Sequence, residues 1–157
     1  MKKFLFMCLM ALVPMAFTAC GSDDDDNKPN NEQTTPTGGT VTSSISETSN
    51  QIVLTVTVTE QGLKMTTKYI FDFQNDVCTK ATCQVEYPTE ALAQASYNEL
   101  MEDLDEDEDP SIYSIKGKVV SSDMTASFKG QSMAAIKVAV EILRKQLEKE
   151  AVSGMNW

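Results

Sequence analysis

From Gln51 onward the apolar positions recur at every second residue. Ile52, Leu54, Val56 and Val58 alternate with Val53, Thr55, Thr57 and Thr59. A period of two is the mark of a strand with one face buried. Gln61-Gly62 interrupts it as a turn, after which Leu63, Met65, Thr67, Tyr69, Phe71 and Phe73 share one face against Lys64, Thr66, Lys68, Ile70 and Asp72. Gln74-Asn75-Asp76 supplies a second turn. A third run places Val77, Ala81, Cys83, Val85 and Tyr87 on one face and Cys78, Lys80, Thr82, Gln84 and Glu86 on the other. Three strands of an antiparallel meander follow, greasy on one side and wet on the other.

Pro88 then ends the sheet pattern, and the period changes to that of a helix. Thr89 is placed to cap it and Glu90 to supply first-turn negative charge. Leu92, Ser96, Leu100 and Leu104 recur four residues apart, with Ala93, Tyr97 and Met101 beside them. That is an amphipathic helix of about 15 residues. Alternation returns over Ile112–Val120 and Met124–Lys129, with Ser121-Ser122-Asp123 between them as a turn. The inward set is Tyr113, Ile115, Val119, Met124, Ala126 and Phe128. Ser132 is placed to cap a last helix with Met133, Ile136, Val140, Leu143 and Leu147 on one face, stopped near Gly154. The fold class is therefore α+β: an antiparallel sheet of about five strands in the order βββ-α-ββ-α, with two helices packed on one face. Residues 51–157 form this single small domain.

Upstream the pattern is of another kind. Lys2 and Lys3 precede an apolar run from Phe4 to Phe17 broken by Pro14, followed by the small residues Thr18 and Ala19 and then Cys20. About 14 apolar residues are too few to span a bilayer comfortably and match a secretory signal segment, residues 1–19. Phe17-Thr18-Ala19-Cys20 resembles a bacterial lipobox, with Phe where Leu is usual. The resemblance implies cleavage before Cys20 and attachment of acyl chains to it, hence a membrane anchor through Cys20. An ordinary signal peptide with an incidental cysteine is the plainer alternative. Ser22-Asp23-Asp24-Asp25-Asp26 follows, and an acidic run next to the lipid cysteine resembles the surface-export signal of Bacteroidota-type lipoproteins. This implies display on the outside of the outer membrane. If the four aspartates merely solvate a tether, the protein faces the periplasm instead. The stretch to Asn50 has Pro29, Pro36, Gly38-Gly39 and much Thr, Ser and Asn, with Val41 and Ile45 as its apolar residues. Residues 20–50 read as a lipidated, acidic, flexible tether, with room for a short strand near Val41–Ile45.

Composition narrows the chemistry. The 157 residues carry 13 basic and 23 acidic side chains, a net charge of −10, and no histidine. The acidic balance opposes nucleic acid as a partner. The lack of histidine removes the commonest general base, nucleophile activator and metal ligand. Neither a Gly-rich phosphate loop nor a G-x-S-x-G elbow is present. The expectation is a non-enzyme without cofactor.

Three candidate sites remain. Glu102, Asp103, Asp105, Glu106, Asp107, Glu108 and Asp109 form an acidic stretch, suited to a basic protein partner or to simple solvation. Asp103, Asp105 and Asp107 start a D-x-D-x-D calcium loop. The template fails at Glu108, where glycine is required, and at Ser114, where the bidentate Glu belongs. Cys78 and Cys83 lie about 16 Å apart on an extended strand, too far to bridge. A turn at Thr79–Thr82 would alter that. Aromatic side chains suggest a glycan platform, but Tyr69, Phe71, Phe73, Tyr87 and Phe128 fall on the core side, and Trp157 is the last residue. The sequence therefore points to an outer-membrane, surface-exposed lipoprotein with a non-catalytic interaction or accessory domain. The alternatives are a periplasm-facing inhibitor or immunity-type lipoprotein using the acidic loop, and a weak Ca²⁺- or glycan-binding module.

Overall fold

The computed structural model describes residues 40–60, 62–104 and 109–152. Cys20, the Ser22–Asp26 run, Asp105, Glu106, Asp107, Glu108, Gly154 and Trp157 lie outside them. Among the described residues, six strands form one antiparallel sheet: β1 (Thr40–Thr48), β2 (Gln51–Glu60), β3 (Leu63–Gln74), β4 (Val77–Glu86), β5 (Tyr113–Lys116) and β6 (Val119–Asp123). Their spatial order is β1-β2-β3-β4-β6-β5. The helices are α1 (Glu90–Glu102), the short α2 (Thr125–Phe128) and α3 (Met133–Val152), with a 3-10 turn at Pro110–Ile112 before β5. The class is mixed α and β, dominated by the sheet.

The first four strands form a meander because their turns are chemically suited to it. Asn75 and Asp76 both sit at positive φ, 52° and 61°, the conformation a tight two-residue hairpin needs and which Asn and Asp tolerate. Gly62 takes φ 80° at the β2–β3 turn. The sheet is one strand larger than the alternation from Gln51 implies. Thr40–Thr48 lies in the stretch read as tether, yet it pairs with β2 in unbroken register from Thr40↔Thr59 to Thr48↔Gln51. Its Ser and Thr residues conceal a strand whose apolar positions, Val41 and Ile45, are half-buried against the core.

The core lies on one face of the sheet. Ile52, Leu54, Val56, Tyr69, Phe71, Phe73, Ala81, Cys83 and Val85 pack with Met124, Phe128 and the α3 residues Ile136, Val140 and Leu143. The rings of Phe71 and Phe128 meet edge to face, centroids 5.1 Å apart. Helix α3 runs over β1 and β2, where Lys137 Nζ contacts Glu47 Oε2 at 2.6 Å. Helix α1 packs on β5 and β6, and Ser96 meets the Tyr87 hydroxyl at 2.5 Å.

Four local expectations are corrected. Cys78 and Cys83 do not have opposite parity. The β3–β4 register passes from Asp72↔Lys80 to Phe73↔Cys78, so Thr79 is an extra, bulged residue. The bulge resets the alternation: Cys78 is buried and Val77 is 42% exposed. Both thiols are free. Secondly, Met124–Lys129 is not a strand. Met124 and Phe128 are buried while Ala126 is exposed, which is the spacing of a helical turn. Four residues satisfy both periods, so the run alone did not discriminate. Thirdly, the second hairpin turns at Gly117-Lys118, not at Ser121–Asp123, so Val120 is buried in place of Val119. Fourthly, α1 buries Ala93 and leaves Leu92 44% exposed, a rotation of about one residue.

Candidate interaction surface

The register fixes which side chains share the other face. Reading across the sheet, Ser44, Thr55, Lys68, Gln84, Ser121 and Ser114 form one row. Thr42, Thr57, Thr66, Glu86, Val119 and Lys116 form the next. No residue of these rows is buried, and neither α1 nor α3 crosses them. Covering one face of an antiparallel sheet with helices leaves the other to solvent unless a partner takes it.

The open face divides into two zones. Over β1 and β2 it is almost wholly hydroxyl: Thr40, Thr42, Ser44, Ser46 and Thr48 beside Thr55, Thr57 and Thr59. Thr57 and Thr66 hydroxyls approach to 3.3 Å across the strands. Over β3, β4 and β6 it carries mixed charge, with Lys64, Lys68 and Lys80 among Asp72, Glu86 and Asp123. Gln51 Nε2 donates to Asp72 Oδ1 at 2.8 Å, which holds that carboxylate in place. Asp123 accepts from the Thr125 backbone N–H at 2.8 Å. The Thr125 hydroxyl, that backbone bond and nearby Lys80 hold its carboxyl below the usual range.

At one end of the sheet a groove of about 430 Å³ is lined by Gly62, Leu63, Lys64, Thr66, Glu86, Tyr87, Pro88, Thr89 and Lys118. Lys118 Nζ donates to the Pro88 carbonyl at 3.0 Å across it. Burial pushes the Tyr87 hydroxyl up, opposed by its bond to Ser96. The groove is half open, with polar and apolar walls in similar measure, unlike an enclosed apolar small-molecule pocket.

The acidic stretch is only partly described. Glu102 ends α1 and Asp103 caps it, its N–H donating to the Glu99 carbonyl. Asp109 turns the other way: its side chain accepts from Ser111 N–H at 2.8 Å and caps the 3-10 turn, and the Ser111 hydroxyl together with this N–H lowers its pKa. The Asp109 carboxylate thus has a local structural task, whereas Asp103 acts through its backbone N–H. Among the described residues no three His, Cys, Asp or Glu side chains group as a metal site.

The thiols are unsuited to nucleophilic attack. Burial pushes Cys83 up to about 12, and Cys78 is also raised, chiefly by burial. A thiolate is the reactive form, so both are inert near neutrality. The aromatic residues of the strands face the core and do not form an exposed stacking platform. Alternation alone places Thr55, Thr57 and Thr59 on this face; the part on β1 is hidden in a stretch that reads as tether. Its signal was the Thr/Ser alternation around Val41 and Ile45.

A six-stranded antiparallel sheet with helices on one face is thus a mixed α and β module with an open, largely polar second face. Comparison with known proteins gives no match to a family model, a curated protein or a solved structure.

Proposed function

We propose that this chain is an outer-membrane lipoprotein, anchored through acyl chains on Cys20 and displayed at the cell surface, whose α+β domain is a non-catalytic docking or accessory module. Two helices on one face and a bare second face are the division of labour such a module needs. The observation that carries the reading is that open face: it spans all six strands of the described sheet and has no buried residue. Broad polar faces suit macromolecular partners better than small substrates, which favour concave apolar sites. The residues Phe17–Cys20 and Ser22–Asp26 support the anchoring and export parts. The chain's net charge of −10 supports a protein or glycan partner over nucleic acid.

Protease shaving of intact cells tests display. The domain should be digested while a periplasmic marker survives; resistance until the outer membrane is breached would overturn surface display. Labelling with an alkyne palmitate analogue tests the anchor. The label should enter the wild-type chain and be absent from Cys20→Ser, and equal labelling of both would overturn the lipid assignment.

A further inference from the structure

The sheet has two edges of different character. The β5 edge is four residues long and ends in Lys116, beside a turn at φ 58°. Short length and an edge lysine are ordinary devices against strand addition. The β1 edge has neither. It is nine residues long, without proline or lysine, and its pairing with β2 contains no bulge. Its single charge, Glu47, is engaged by Lys137.

The order of residues along β1 matches itself when reversed. About Ser43 the strand reads Thr-Val-Thr-Ser-Ser-Ile-Ser, hydroxyl and apolar residues recurring symmetrically on both sides. We propose that β1 pairs antiparallel with β1 of a second copy about a twofold axis at residue 43, making one continuous sheet. Val41 then lies opposite Ile45 of the second copy on the helix-bearing face. Thr42 lies opposite Ser44 of the second copy on the open face. A twofold interface must be self-complementary, and this register is. Charge favours the same edge. Copies of a chain with net charge −10 repel, so contact falls where charge is sparse, and the open face of β1 and its neighbour β2 carries no charge. The hydroxyl zones of the two copies would merge into one platform of double width.

Thr42 and Ser44 are exposed, so charges there leave the core intact. Sedimentation velocity of the purified full chain in density-matched detergent should give a dimer. The variants T42K/S44K and T42E/S44E each set like charges opposite like and should sediment as monomers, with unchanged far-UV circular dichroism. Mixed in equal amounts, they should recover a one-to-one dimer. A monomeric wild type, a dimer indifferent to both variants, or two monomeric variants that fail to recombine would each overturn the proposal.

Discussion

At the scale of single residues, burial decides more than chemical type. Cys83 illustrates this: its thiol is buried in the core cluster, and its pKa rises from an ordinary 9.0 to about 12. The unfolded chain ionises this thiol near 9 and the folded chain does not. The stabilisation is therefore whole below pH 9 and drains away as pH rises toward 12, at up to about 1.4 kcal/mol per unit. Urea midpoints measured from pH 8 to pH 11 should fall for the wild type and fall less steeply for Cys83→Ala. The same burial should keep Cys78 and Cys83 unmodified by iodoacetamide at pH 7 until denaturant is added, with peptide mapping as the readout.

At the scale of elements, termini are set by a few side chains. Thr89 Oγ1 accepts from Leu92 N–H at 3.2 Å and starts α1; Ser132 Oγ accepts from Ala135 N–H at 3.2 Å and starts α3. Thr89→Ala should lower stability by about 1 kcal/mol, read from chemical denaturation, with native secondary structure retained. Both caps were legible in sequence because capping is local. So were β2, β3 and most of β4, where alternation runs for eight or more residues. What was hidden depends on partners distant in sequence. The Thr79 bulge exists because Cys78 pairs with the segment after α2: its N–H donates to the Gln131 carbonyl and its C=O accepts from Gly130 N–H. At Ala81 the side chain of Thr125 stands in for a strand, accepting from Ala81 N–H at 3.1 Å. Nothing near Cys78 in the chain announces these contacts. The rotation of α1 was hidden for a related reason, since Ala93 is buried by β5 and β6 rather than by its own hydrophobicity.

At the scale of the molecule, charge and shape are distributed unevenly. Glu102 and Asp103 sit at the end of α1 and Asp109 at the start of the 3-10 turn, while the open face of β1 and β2 offers a neutral hydroxyl surface. No helix of the described residues is long and apolar enough to cross a membrane. The surface-display reading accordingly rests on the N-terminal residues and the open face. The candidate face was half legible: the Thr/Lys side of β2–β4 follows from alternation, but its extension onto β1 required the register.

The strand order has a consequence in time. The β1–β2, β2–β3 and β3–β4 pairings join chain neighbours, so each closes a short loop and needs little entropy loss before it is rewarded. The β4–β6 pairing must instead wait for α1 and β5 to be spanned. Pulse-labelled hydrogen exchange during refolding should protect the amides of β2 and β3 before those of β5 and β6; simultaneous protection of all strands would show that the two halves condense together. Such a molecule assembles from its N-terminal side, the side that leaves the ribosome first.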